Sequence, residues 1–466
     1  LRTVRGLLRF FVPVVPRFVA AMRHPEQARR AFATFVESEL VRPNMTGNDR
    51  FARLAQRLQF VGERTAATFY RLLPRFLPLF AGSMASLILL NKLAGGDAQT
   101  DHGISALVMQ VTRGTPDNVT TGMDLALWAT ATDIRTDAAS LACFSESDAP
   151  ALARRYLDGT LPAVAQQAVA DFMARYGMRG VGEIDLGQPR WREEPAAIMQ
   201  TLQSYLQISP DQAPDVLFAR GAQAAGEAIE GLAATARRRR GGWLRAKIVR
   251  AAARRIRVLM GVREAPKFFA VRMMGIVRDE LLASGREFAD VSTIEQADDL
   301  FYLHLDELRA LSQDEPRDWR ALIAGRRAVY ERENRRKQVP RVLVSDGRAF
   351  YEGLGAVGES DTVMRGSPVS PGVAEGVAHV VFDPRGARLA PGEILVCPGT
   401  DPAWTPLFMA AGGLITEVGG MMTHGSVVAR EIGIPAVVGV HRATARLANR
   451  QRIRVDGTTG KILVIG

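Results

Sequence analysis

The chain has 466 residues, too many for one hydrophobic core and suited to two or three domains. Its 47% hydrophobic and 23% charged residues exclude a disordered chain. The net charge of +11, carried mostly by Arg rather than Lys, favours anionic partners without saying which.

Two cysteines, Cys143 and Cys397, make no disulfide framework and fit a reducing, cytoplasmic setting. Of the histidines at 24, 102, 304, 379, 424 and 441, no pair has the spacing of a helical zinc site, so no metal is expected. The opening LRTVRGLLRFFVPVVPRF is interrupted by arginines and by Pro13 and Pro16, unlike a signal peptide. The uncharged stretch Phe76–Asn91 is shorter than the roughly 20 residues of a membrane helix and contains Pro78 and Gly82. It reads as a buried helix, and no membrane partner is expected.

In chain order, apolar residues recur at helical spacing over Ala28–Val41, Phe51–Leu73, Asp124–Ala142, Ala151–Tyr176, Pro195–Leu206, Pro214–Arg239, Gly242–Leu282 and Asp318–Lys337. Turn signals at Pro43-Asn44, Gly95-Gly96, Pro116-Asp117-Asn118 and Gly177 to Gly187 separate several of them. Arg237–Arg240 opens a basic stretch running to Arg257. No aromatic-rich RNA motif accompanies it, so it reads as an exposed helix face and no nucleic-acid partner is expected.

The character changes near Leu354. Residues 354–366 are Gly-rich and polar and suit a linker between a helical domain over 1–353 and a small α/β domain over 367–466. Short strands are predicted at Gly376–Phe382, Glu393–Cys397, Gly413–Val418, Ala436–Val440, Arg452–Val455 and Lys461–Ile465. Helical segments are predicted at Pro406–Ala411 and Ser426–Ile432. The fold class is therefore multidomain α+β: a large all-α domain, then a small α/β domain.

The chemistry concentrates in LITEVGGMMTHGSVVAREIGIPAVVGV, residues 414–440. A strand runs into Gly419-Gly420, and Thr423 is placed to cap a helix that stops at Gly433, before Pro435. His424 then sits at a helix N-terminus, where free N–H groups and the dipole favour an anion and keep an imidazole neutral. A neutral imidazole can attack phosphorus. Gly420 and Gly425 would let a large anion approach closely, and Arg430 would supply a cation.

This stretch resembles the swivelling phosphohistidine domain shared by phosphoenolpyruvate synthases, pyruvate phosphate dikinases and rifampicin phosphotransferases. The match includes Gly419, Gly420, His424, Ala429, Arg430 and Gly433 to Gly439. Met422, Thr423 and Gly425 around the histidine look like the rifampicin phosphotransferase branch, as does TDPAWTPLF at 400–408. Upstream, RGTPDNVTTGMDLALW (113–128) is similar to a segment of that branch, except that Gly122 stands where an acidic residue is usual. YGMRGVGEIDLGQPRW (176–191), REAPKFFAVRMMGIVRDE (263–280), DLFYLHLDELRAL (299–311) and PRVLVSDG (340–347) also resemble it.

The resemblance implies a phosphohistidine relay. An ATP-grasp domain, in cis or in trans, binds ATP and Mg2+ and loads His424, and the carrier passes the phosphoryl group to a hydroxyl of a small molecule, rifampicin in the best-known members. This chain is expected to bind no cofactor itself and to be a fragment, a split-gene product or a truncated paralogue without its own ATP site. Arg263 and Lys267, four apart and so on one helix face, match an Arg–Lys pair that the family carries near the transfer site. Glu183 and Asp185 are weaker candidates; loop architecture, with pairing to Arg179 and Arg190, explains them as well. Two alternatives stay open: phosphoenolpyruvate-synthase-like transfer, and a non-catalytic regulatory or binding remnant.

Overall fold

The computed structural model describes residues 12–94, 107–208, 213–336, 342–350, 362–384, 387–400, 404–420 and 423–465. Helices run from Val14 to Asn334, and a mixed α/β unit follows, as the α+β class requires. The helical part is organised round several apolar clusters. One gathers Trp128, Phe144, Phe172 and Tyr205; others centre on Phe288 with Trp319, on Leu232 with Ile256, and on Phe32 with Phe269.

The helices differ from the sequence pattern at four places for identifiable reasons. The run predicted at 151–176 divides into Ala149–Leu157 and Ala163–Tyr176 around Gly159, whose φ is 68°. The segments predicted at 51–73 and 76–91 are one helix, Arg50–Ala94, which continues through Pro74 and Pro78. Each proline removes one backbone donor. Burial of Leu72, Leu79 and Leu90 against helices Val14–Arg23 and Gly242–Met260 offsets that loss. Its stretch Tyr70–Leu93 has the length and composition to cross a membrane, yet 39% of its most apolar window is buried inside this fold.

The segment predicted at 124–142 divides at Asp137, whose extended backbone ends Val119–Thr136 and whose carboxylate accepts the Ser140 amide to start Ala138–Glu146. The segment predicted at 242–282 breaks at a 3-10 turn, Gly261–Glu264, before Ala265–Asp290. Pro266 has no N–H to continue an α-helical ladder there.

In the α/β unit the strands are β3 (Val363–Arg365), β4 (Ser367–Ser370), β5 (Val373–Val380), β6 (Ile394–Cys397), β7 (Gly413–Thr416), β8 (Ala436–Val438), β9 (Arg452–Asp456) and β10 (Lys461–Val464). Upstream, Val342–Leu343 (β1) and Ala349–Phe350 (β2) form a separate small hairpin. The sheet order is β3-β10-β9-β5-β6-β7-β8-β4, with β5 to β8 parallel and the flanks antiparallel. The central strands β6, β7 and β8 are buried along their whole length, as strands covered on both faces must be. Of the expected linker, residues 354–361 lie outside the described residues. Its far end is not linker but β3, paired with β10, so the sheet begins before residue 367.

Candidate functional site

The loop after β7 carries Gly419-Gly420, and after it comes Thr423 and the helix His424–Ile432, which ends at Gly433 with φ of 89°. Gly433 can hold that left-handed conformation without a Cβ penalty. Residues 421–422 and the His424 side chain lie outside the described residues; the His424 backbone opens the helix.

Thr423 stands at the N-cap with an extended backbone, as expected, but its hydroxyl does not cap the helix. It donates to the Gly420 carbonyl at 2.8 Å and meets the Ser426 hydroxyl at 3.0 Å, and Ser426 also donates to Gly420 at 2.8 Å. Two hydroxyls therefore fix the Gly420 peptide. The Thr423 side chain leaves the first-turn amides without a protein oxygen from this position, an arrangement suited to an anion.

The three glycines serve different ends. Gly419 packs tightly, since a β-carbon there would fall 2.9 Å from the Val438 β-carbon. Gly420 faces open space among the described residues, as an anion approach requires. Gly425 does not: Thr400 Oγ1 already fills the place of its missing side chain. Thr400, the first residue of the TDPAWTPLF segment and given no role from sequence, is thus brought to the first turn of the histidine helix. Arg430 also differs from expectation. It is buried, and its Nη1 donates to the Val369 carbonyl at 2.9 Å, committing that donor to tying the helix to β4.

In the helical part, Arg263 and Lys267 do not share one α-helical face. Arg263 lies in the 3-10 turn and pairs with Glu264, while Lys267 lies in the first turn of Ala265–Asp290. Lys267 Nζ is 3.1 Å from Glu183 Oε1, and Arg179 Nη1 approaches the same oxygen at 3.6 Å. Glu183 and Arg179 are both buried, so this carboxylate anchors the lysine from beneath. Asp185 accepts the Gly187 amide at 2.8 Å, and Arg190 donates to the Glu183 and Asp185 carbonyls rather than to their carboxylates. That is loop architecture.

Much of the basic stretch is used internally. Arg250 pairs with Glu230 and Arg254 with Glu26, and Arg257 donates to the carbonyls of Val111, Arg113 and Gly114. Among the described residues no group of three His, Cys, Asp or Glu side chains is placed to hold a metal ion.

The histidine helix is docked on the helical part. Val428 and Ile432 face Leu125, Leu217, Phe218 and Met409 across a narrow gap. At the helix C-terminus the Arg113 guanidinium lies over Gly433, so close that a side chain on Gly433 would collide with Nη2. Arg257 holds the turn that carries Arg113. The same Leu125 and Phe218 also line an adjoining cleft of about 680 Å3, walled by Phe32, Tyr176, Phe268 and Arg272. Val262, Ala265 and Phe268, the neighbours of Arg263 and Lys267, reach this cleft. Gly122 lies on its wall, 3.4 Å from the Tyr176 hydroxyl if given a β-carbon.

A strand–loop–helix turn on a mixed sheet, its helix packed beside a cleft of the helical part, frames the candidate site. Residues 389–460 match the family model of the PEP-utilising enzyme, mobile domain. Residues 75–264 match that of the rifampicin phosphotransferase fourth domain. Over most of its length the chain is similar to the rifampicin phosphotransferases. It is 36% identical over 358 residues to the rifampicin phosphotransferase of Streptomyces sviceus, covering 76% of this chain and 41% of the relative. It is 35% identical over 297 residues to that of Bacillus subtilis, covering 64% and 34%, and 35% identical over 302 residues to that of Bacillus cereus, covering 64% and 34%. The chain thus spans between a third and about two fifths of the length of these relatives.

Proposed function

We propose that this chain is the acceptor-binding and carrier portion of a phosphotransferase, in which phospho-His424 gives its phosphoryl group to a hydroxyl of a small molecule held in the cleft. The observation that carries this reading is the docked position of the His424 helix, whose residues Val428 and Ile432 pack on the wall of that cleft. In the transfer, the bond from phosphorus to the imidazole nitrogen breaks as the bond to the substrate oxygen forms, and the hydroxyl proton passes to solvent or to a base in the cleft. Thr423 and Ser426 fix the loop, and the first-turn amides and the space beside Gly420 receive the phosphoryl oxygens. Arg263 and Lys267 steady the charge from the acceptor side.

The donor to His424 is an ATP-grasp domain in cis or in trans, and ATP and Mg2+ belong to that domain. The cleft volume lies within the usual range of small-molecule sites, and its mixture of aromatic walls with a few polar groups suits a polyhydroxylated, partly apolar acceptor such as a rifamycin. The test is a half-reaction. The chain is labelled on His424 by a relative's ATP-grasp domain, freed of ATP and mixed with rifamycins and other hydroxylated compounds. Label should move to a small molecule, and a Phe268→Ala or Gly122→Arg change should weaken acceptor binding. Stable label on His424 with every acceptor would favour a regulatory remnant, and label moving to pyruvate would favour a phosphoenolpyruvate-synthase-like role.

A further inference from the structure

A second hollow of about 320 Å3 lies between the helices Val14–Arg23, Pro25–Glu39 and Arg50–Ala94. It is distinct from the acceptor cleft. Helix Pro25–Glu39 presents Gln27, Ala28 and Ala31 to the hollow but Arg29, Ala33 and Val36 to the cleft, and Phe32 is the residue of that helix common to both. Phe32, Pro78, Leu79 and alanines form its walls, and Arg17, His24 and Arg75 supply its polar edge.

The two arginines are unbalanced. Arg17 Nη1 donates to the Pro13 carbonyl at 3.4 Å, and Arg75 Nη1 to the Arg71 carbonyl at 2.9 Å. Both acceptors are neutral. Among the described residues neither guanidinium forms an ion pair. Glu39, the carboxylate that acts on Arg75, is held by Arg71 at 2.7 Å. Arg75 instead stacks over the Phe35 ring, 4.1 Å from its centre. Burial lowers the Arg75 pKa from its ordinary value, and the charges of Arg17 and Arg71 push it the same way. Two like charges at the edge of an apolar hollow repel each other where water screens them poorly. An anion between them removes that repulsion and accepts charge-assisted hydrogen bonds.

We propose that this hollow binds an amphipathic anion, a carboxylate or phosphate head group held by Arg17 and Arg75 with an apolar body lying on Phe32, Pro78 and Leu79. The proposal does not rest on the phosphotransfer reading, although the hollow shares Phe32 with the acceptor cleft. A free amphiphile and a lipid head group share this chemistry, and monomeric octyl phosphate and phosphatidylglycerol vesicles separate them.

The experiment is calorimetric titration of the whole chain with octyl phosphate and octanoate below their micelle thresholds, and sedimentation with the vesicles. Saturable one-to-one binding is expected for the anionic amphiphiles or the vesicles. Octyl glucoside and inorganic phosphate, each lacking one half of the ligand, should bind at least about tenfold more weakly. Arg17→Gln and Arg75→Gln should each weaken binding about tenfold while thermal melts confirm folding, and Ala31→Trp should abolish it by filling the hollow. Octyl glucoside binding as well as octyl phosphate, undiminished affinity in both arginine variants, or absence of binding to every anionic probe would overturn the proposal.

Discussion

The Thr400 hydroxyl occupies the space that a side chain on Gly425 would need. The glycine that follows the histidine is therefore a packing requirement set by a residue 25 positions earlier in the chain. It brings a hydroxyl to the helix turn that begins with His424. Gly425→Ala should cost about 1–3 kcal/mol through overpacking. Adding Thr400→Ala should recover most of that loss in thermal or urea melts. Equal stability of the single and double variants would show that the Thr400 side chain turns away without penalty.

Arg113 touches the carrier at Gly433, where the histidine helix meets the helical part. Arg113→Ala should leave loading of His424 by an ATP-grasp domain unchanged. It should slow transfer to the acceptor about tenfold, the effect of roughly 1.4 kcal/mol lost from the docked state. Single-turnover rates of the two half-reactions make the comparison, and equal slowing of both would refute a docking role.

In the proposed transfer Arg263 and Lys267 act from the acceptor side, and each already has a carboxylate neighbour. Arg263→Ala or Lys267→Gln should preserve His424 labelling and reduce transfer about a hundredfold, the usual consequence of removing one charged donor from a developing phosphoryl charge. Glu183→Gln separates position from charge. It should destabilise the fold, because Arg179 is left buried beside a neutral group, and it should also lower the transfer rate by releasing Lys267.

Stability should carry an acid signature from Glu307. The hydrogen bond from Arg326, at 2.7 Å from Nη2, and the His304 amide hold its pKa at about 2, against an ordinary 4.5. A depressed carboxylate pKa stabilises the fold fully above the unfolded value and ceases to do so as pH falls through the folded value. Glu307→Gln should therefore cost about 1–2 kcal/mol near pH 7. The gap to the natural chain should close between about pH 4.5 and pH 2, and a gap independent of pH in that window would contradict the assignment.

The α/β unit was legible in sequence because its signals are local. Apolar runs bounded by Gly419-Gly420, Gly433 and Pro435 placed β7, the histidine helix and β8 to within two residues at their ends. Strands β3 and β4 were not legible, since a short polar strand such as Ser367–Ser370 gains its character from pairing with β8 rather than from its own residues. Pro74 lies between the segments read at 51–73 and 76–91, and tertiary burial carries the helix through it. Pro266 and Asp137 ended helices through one missing donor and one capping carboxylate, both present in the sequence but outweighed there by continuous apolar periodicity. At the site, the histidine helix was readable from its flanks. The contacts of Thr400 with Gly425 and of Arg113 with Gly433 join residues far apart in sequence, and no local pattern announces them.

The proposed phosphotransfer depends on one group, the His424 imidazole. Incubating the chain with a relative's ATP-grasp domain and β-labelled ATP, then mapping the acid-labile phosphoryl group by peptide mass spectrometry, tests it directly. One phosphorylated residue, His424, is expected, with no label in His424→Ala; label that persists in that variant, or that maps to another residue, would overturn the carrier role of His424.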